Sequence, residues 1–114
     1  MDEDPVGLLM RQREATAARI NGLLRERDGI VASADLTGTD DEHDPEGATL
    51  AFEREQISAL LRSARTRLVA LDAAAERVRA GTYGTCDRCG VTIPAGRLEA
   101  RPDTTTCIGC AGRH

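Results

Sequence analysis

Apolar residues recur every seven positions through the middle of the chain. The repeat comprises Leu50, Ile57, Ala64, Leu71 and Val78, and three of these are followed four residues later by Leu61, Leu68 and Ala75. Side chains at this spacing lie on one face of an α-helix. Asp44 and Pro45 suit the cap and the first position of such a helix, and Gly81 marks its end. The pattern predicts one long helix from Pro45 to the residue before Gly81.

A second helix is predicted over residues 5–33, where Asp4 and Pro5 repeat the same start signal. Its apolar stripe is looser and comprises Val6, Met10, Ile20, Leu23, Leu24, Ile30 and Val31. Gly22 and Gly29 leave its continuity open. Residues 34–43 have turn composition and no periodicity. Two long helices joined by a short turn predict an antiparallel coiled-coil hairpin, so the fold class is mainly α.

Charge and composition refine this picture. Aromatic residues make up 2% of the chain, which favours thin packing of Ala and Leu along a helical seam over a thick globular core. Six of the 19 acids fall within residues 35–46, and all 15 basic residues lie outside that segment. The hairpin is therefore expected to carry an acidic tip near residues 35–46. The acidic N-terminus and the absence of a long apolar run predict a cytoplasmic protein without a membrane segment.

Four cysteines form the clearest chemical motif. Cys86 and Cys89 make one C-x2-C pair, Cys107 and Cys110 make another, and 17 residues separate the pairs. This spacing is typical of a site that holds one structural Zn²⁺ through four thiolates. Gly90, and likewise Gly109 inside the second pair, are expected to supply backbone freedom at the tight bends.

Other interpretations of the cysteines are weaker. A redox C-x-x-C belongs to a βαβ context that the chain lacks, and disulfides need an oxidising compartment. Four thiolates would close the metal site, whereas catalytic zinc keeps an open position. His43 and His114 are read as incidental. The predicted domains are a helical hairpin over residues 1–81 and a C4 zinc finger with a short tail over residues 82–114.

The finger and the helix before it resemble the DksA/TraR family of bacterial transcription factors, and the chain would be a short member. The resemblance covers roughly residues 41–110. It rests on Tyr83-Gly84-x-Cys86-x-x-Cys89-Gly90, Ile93, Arg97-Leu98-Glu99-Ala100-Arg101-Pro102 and Cys107-x-x-Cys110. It implies a non-enzymatic regulator that binds RNA polymerase directly. Such a regulator inserts the hairpin into the secondary channel and alters initiation complexes.

The resemblance also implies that tip acids approach the polymerase active centre. In the best-known member of the family the tip pattern is Asp-x-x-Asp-x-Ala, which Asp41 and Asp44 match, with Glu46 in place of Ala. Alignment on Ala48 would instead put His43 and Glu46 at the two acidic positions. Asp44 is the preferred candidate, followed by Asp41 and Glu46. Capping of the second helix is the alternative role of Asp44, and a solvated loop is the alternative for the other acids.

Some family members bind guanosine tetraphosphate at the polymerase through basic residues near the finger. Arg101 matches one such position, and Arg97 is a weaker candidate for a contact with the polymerase rim or a nucleotide. Ala70 and Ala111 stand where those members have basic residues, which argues against a nucleotide effector.

Two other functions remain as alternatives. A DNA-binding zinc finger is disfavoured by the net charge of −4 and by dispersed cations, so sequence-specific DNA binding is not expected. A protein-interaction or dimerisation module would use the apolar face of the second helix, although a monomer is expected. No nucleophile–base pair, phosphate-binding glycine loop or open metal site supports an enzyme.

Overall fold

The computed structural model describes residues 4–36 and 45–112, and the side chains of all of these except 33–36, 45 and 46. Four helices follow in order: α1 Pro5–Leu36, α2 Pro45–Ala80, α3 Ala95–Ala100 and α4 Ile108–Ala111. Within these ranges the only β pairing is an isolated antiparallel bridge between Thr85 and Thr92. The predicted mainly α fold is confirmed.

The start of α1 follows the sequence signal. The backbone N–H of Val6 donates to Oδ1 of Asp4 at 3.3 Å, and the N–H of Leu8 donates to the Asp4 carbonyl at 3.0 Å. Asp4 therefore satisfies amides that the first helical turn leaves unpaired. The helix continues through Gly22 and Gly29 to Leu36, which settles the question of its continuity.

The end of α2 is fixed by a glycine. Gly81 has φ of 78°, a left-handed conformation that side chains disfavour. The N–H of Thr82 donates to the carbonyl of Arg77 at 2.9 Å, and the N–H of Gly81 donates to the carbonyl of Val78 at 3.2 Å. This pair of bonds is a Schellman motif, which terminates a helix while satisfying its last carbonyls. The predicted stop at Gly81 is confirmed.

The chain forms two compact units. The finger unit comprises the residues up to Ala15 and those from Arg67 onward, and the helical unit comprises Thr16–Thr66. In the finger unit Leu9 of α1 packs with Leu71 and Ala74 of α2. Further along α1, Gln12 accepts a hydrogen bond from Arg67 of α2. Rising residue numbers in α1 thus meet falling numbers in α2, so the helices are antiparallel.

The helical unit has its own set of buried apolar residues from α1 and α2. Its buried residues are Ile20, Leu23, Ile57, Leu61 and Ala64. Beside them lies a groove with two acidic residues on its walls. The groove is lined by Glu26, Gly29, Ile30, Leu50, Glu53, Gln56, Ile57 and Leu60. No helix in the part of the chain that the structure describes is both long and apolar enough to cross a membrane.

The burial of side chains in α1 and α2 can be compared with the apolar faces predicted from the sequence. In α2 the heptad residues are buried or half-buried, as predicted, and Ala74 is added to them. In α1 the stripe is less accurate. Leu9, which it omitted, is fully buried, whereas Val31 is 38% exposed. The regular heptad of α2 specified its buried face, while the weak periodicity of α1 did not.

Candidate metal centre

The four cysteine sulfurs converge on one point. The Sγ atoms of Cys86, Cys89, Cys107 and Cys110 all lie within 4.8 Å of one another. The Sγ atoms of Cys89 and Cys107 are 3.7 Å apart. Four Zn–S bonds of about 2.3 Å in a tetrahedron give S–S edges of about 3.8 Å, whereas a disulfide bond is about 2.05 Å long. The donor set and its spacing fit one zinc ion and do not fit a disulfide between Cys89 and Cys107.

The first pair of cysteines lies on a tight turn. The N–H of Gly90 donates to the carbonyl of Cys86 at 3.0 Å, and the N–H of Cys86 donates to the carbonyl of Val91 at 2.8 Å. Gly90 has φ of 78°, so its predicted role at the bend is confirmed. Gly84 adopts the same unusual backbone region, with φ of 85°. These bonds fold the chain back so that both sulfurs face the same side.

The second pair lies at the start of α4. The N–H groups of Cys110 and Ala111 donate to the carbonyl of Cys107 at 3.1 and 3.0 Å. The expectation that Gly109 is needed for this bend is wrong. It lies within α4, has no positive φ, and a Cβ there would meet only ordinary contact, 3.8 Å from Sγ of Cys107. An ordinary helical turn brings the two sulfurs together.

The thiols differ in how readily they ionise. Cys86 is 2% exposed, yet hydrogen bonds from backbone N–H groups, above all that of Cys107, lower its pKa to about 6. Cys110 shares its proton with neighbouring sulfurs, mainly that of Cys107, and this raises its pKa to about 12. Zinc binds thiolates, so binding must displace the protons that the thiols carry, and metal affinity will depend on pH.

A small apolar core supports the sulfurs. Cys86, Ile93 and Leu98 are buried together, and Tyr83 packs against them. Tyr83 also packs against Leu9, Leu71 and Ala74, which belong to the two long helices.

The phenol of Tyr83 is held as well. It donates to the carbonyl of Pro102 at 2.9 Å. Burial, with smaller contributions from Asp4 and Asp103, raises the pKa of Tyr83. The composition identified Tyr83 as the single tyrosine, but nothing in the sequence indicated that it would join the finger core to the long helices.

The remaining predicted site residues differ in their surroundings, and some lie outside the described residues. Arg97 is half-buried and uses its guanidinium within the finger, whereas Arg101 is exposed. Asp41 and Asp44 lie outside the described residues, as do His43 and His114, and the side chain of Glu46 is not described. The tip and its register therefore stay predictions. Among the residues that are described, the cysteines form the only cluster of potential metal ligands with three or more members.

Comparison with known proteins agrees with this geometry. Residues 81–114 match the model of the prokaryotic dksA/traR C4-type zinc finger. An Aquifex aeolicus protein is 39% identical over 62 residues, which cover 54% of this chain and 43% of that protein. The RNA polymerase-binding transcription factor DksA of Haemophilus influenzae is 35% identical over 69 residues, covering 58% of this chain and 48% of that factor. The matches thus span less than half the length of these curated relatives.

A solved structure extends the similarity to the helices. Transcription factor DksA2 from Pseudomonas aeruginosa matches with a TM-score of 0.77 and 31% sequence identity. The match covers 91% of this chain and 74% of that protein, so it includes the long helices and the finger together. With four sulfurs arranged for one metal ion and a shared fold along most of both chains, this protein belongs to the DksA/TraR family of C4-type zinc-finger proteins.

Proposed function

We propose that the chain is a non-enzymatic transcription regulator that binds RNA polymerase. The observation that carries the proposal is the match to DksA2 over 91% of the chain, because it includes the helical pair as well as the finger. A C4 finger alone occurs in proteins of many functions. The Haemophilus and Escherichia coli relatives are named as RNA polymerase-binding transcription factors, which supplies the partner.

The mechanism that we infer is insertion of the helical hairpin into the secondary channel of the polymerase. The acidic segment 35–46, which includes the end of α1 and the start of α2, would then approach the active centre, with Asp41, Asp44 and Glu46 as its effector residues. Its local charge supports this, because residues 35–46 contain six acids and no base. Such a segment is attracted by a cation-lined channel and by metal-bound substrate. Any chemistry would belong to the polymerase.

Zinc has a structural part in this proposal. Cys86, Cys89, Cys107 and Cys110 would hold the ion through four thiolates, which leaves no position for substrate. Bound in this way, zinc would cross-link the two cysteine pairs of the finger. The finger core, through Tyr83, then supports the packing of α1 on α2 within the finger unit.

The test compares two charge-matched triple variants of the zinc-loaded protein. The first carries Asp41→Ala, Asp44→Ala and Glu46→Ala. The control replaces three exposed acids elsewhere on the helices, Glu14, Asp28 and Glu55, by Ala. Affinity for purified core polymerase and the lifetime of promoter complexes are measured for both.

We expect both variants to bind the polymerase, and only the tip variant to lose the effect on lifetime. Equal effects on lifetime would refute a specific role of the tip. No binding of the unmodified protein at micromolar concentration would refute the polymerase as partner.

A protein-interaction module remains the second candidate. Phe52 is 65% exposed and Val69 is 69% exposed, both on α2, and the groove beside α2 is largely apolar. Large exposed apolar side chains are candidates for contact with a partner. A mass that rises with concentration in light scattering would favour self-association, whereas a constant monomer mass would count strongly against it.

A further inference from the structure

The segment that precedes Cys107 is held by side chains from elsewhere in the finger unit. Tyr83 donates to the carbonyl of Pro102, and the next residue, Asp103, lies 3.5 Å from Nη1 of Arg67. The first contact holds the start of the segment within the finger, and the second connects it to α2. At the end of the segment, which leads directly into Cys107, the N–H of Asp87 donates to the Thr105 carbonyl at 2.9 Å, and the residues on either side of Thr105 are held by a different group.

That group is the guanidinium of Arg97. Its Nε donates to the carbonyl of Thr106 at 2.9 Å, and its Nη2 donates to Oγ1 of Thr104 at 3.3 Å. The Thr104 hydroxyl donates to the Thr106 carbonyl at 3.1 Å and accepts from the Thr106 N–H at 3.4 Å. A hydroxyl has one donor and two acceptor positions, and all three are used here. The network closes on the residue immediately before a metal ligand.

Arg97 is itself held in place. It lies in α3, where the next residue, Leu98, is buried with Cys86 and Ile93. The guanidinium therefore extends from a helix that packs on Cys86, and it donates hydrogen bonds to the segment that leads into the second cysteine pair. A charged donor on a backbone carbonyl makes a stronger bond than a neutral one.

We propose that Arg97 is a positioning residue for zinc, which holds Thr104–Thr106 so that Cys107 meets the first cysteine pair in ligand geometry. Its role is to lower the cost of ordering the second pair when the metal binds. Groups that orient metal ligands typically alter metal affinity 10–100-fold when they are removed. This role is independent of whether the protein binds RNA polymerase.

The experiment measures zinc release from the full chain to a chromophoric chelator in excess. Arg97→Met removes the forked donor and keeps a long stem, and Thr104→Val removes the hydroxyl and keeps the volume. We expect about tenfold faster release for Arg97→Met and a smaller increase for Thr104→Val. Arg97→Lys keeps the charge but not the fork, so its release rate should lie between wild type and Arg97→Met.

Two controls are matched in chemistry and position. Thr105→Val makes the same change as Thr104→Val in the same segment. The Thr105 side chain has no hydrogen bond to the described residues. The backbone carbonyl of Thr105, which accepts from the N–H of Asp87, is unchanged by the substitution. Arg101→Met makes the same change as Arg97→Met at an exposed position next to the end of α3. Both should release zinc within twofold of the wild-type rate.

A spectroscopic measurement separates positioning from general loss of structure. The Co²⁺-substituted protein reports ligand geometry through its visible absorption. We expect Arg97→Met to bind Co²⁺ more weakly while its far-ultraviolet circular dichroism keeps the wild-type helix signal. Release from Arg97→Met within twofold of wild type, or equal acceleration in Arg101→Met, would overturn the proposal. A loss of helix signal in Arg97→Met equal to its loss of metal would also overturn it.

Discussion

Tyr83 is the side chain whose replacement tests the architecture most directly. Its ring touches both apolar clusters of the finger unit, and its hydroxyl reaches Pro102, in the segment that leads to Cys107. Tyr83→Phe keeps the ring and removes only the hydroxyl. The variant therefore isolates one hydrogen bond within the finger, from the Tyr83 hydroxyl to the Pro102 carbonyl.

The expected cost follows from the surroundings of that bond. The hydroxyl and the Pro102 carbonyl are 2.9 Å apart, and Pro102 is among the fully buried residues. A typical internal hydrogen bond contributes about 0.5–1.5 kcal/mol, and a buried carbonyl left without its donor costs about 1–3 kcal/mol. Because Tyr83 is only half-buried, water can partly replace the lost donor. We expect Tyr83→Phe to lower the free energy of unfolding by about 1–2 kcal/mol.

The assay is urea denaturation followed by circular dichroism, at a fixed free zinc concentration set by a metal buffer. Fixing free zinc matters because a ligand that binds only the folded state raises its apparent stability by mass action. Tyr83→Leu is the companion variant, since it removes the ring as well as the hydroxyl. It should lose more than Tyr83→Phe does, and less than the roughly 3–5 kcal/mol typical of truncating a buried aromatic side chain to Ala.

The reasoning would be refuted by Tyr83→Phe unfolding at the wild-type urea concentration with an unchanged slope. It would also be refuted if Tyr83→Phe and Tyr83→Leu were equally destabilised, because the ring would then contribute nothing. A changed slope alone would point to an altered denatured state, and the comparison would then need the two-state test from a second probe.

Three further predictions concern the helices and the metal. Leu71→Ala should lower the free energy of unfolding by about 2–4 kcal/mol in urea denaturation, because Leu71 is fully buried, whereas Val69→Ala, at a position 69% exposed, should change it by less than about 0.5 kcal/mol. Gly29→Ala should raise it by about 0.5–1 kcal/mol in the same assay, because Gly29 is exposed within α1 and a Cβ there meets nothing within 4 Å; destabilisation would contradict this. Chelation of zinc should lower the thermal midpoint, and the midpoint should rise with the logarithm of free zinc above saturation; a midpoint independent of zinc would contradict a structural ion.

Local signals in the sequence were sufficient for much of the fold. The heptad of α2, the Asp4 cap and the stop at Gly81 all depend on residues within a few positions of one another, and the structure confirms each. The metal site could also be predicted from the sequence, because two residues between paired cysteines are typical of a four-cysteine zinc site.

The features that the sequence did not reveal depend on contacts between distant segments. Leu9 breaks the predicted stripe of α1, yet it is fully buried because Leu71 and Ala74 lie opposite it. The sequence indicated Arg97 only as a candidate contact with a partner, and gave no sign of the hydrogen bonds from its guanidinium to Thr104 and Thr106. Periodicity within one helix carries no information about what a neighbouring segment presents to it.

These contacts also decide which experiments can distinguish the contribution of the zinc finger from that of the acidic tip. Zinc ligation, the finger core and the packing of Leu9 on Leu71 all belong to the finger unit, and Tyr83 touches both of its apolar clusters. A cysteine variant would therefore disturb helix packing as well as the metal, and its failure to act on polymerase would not identify the residues responsible. The tip variant leaves every one of these contacts chemically intact. A loss of activity in that variant, with zinc content and affinity unchanged, would thus assign the effect to the acidic segment itself.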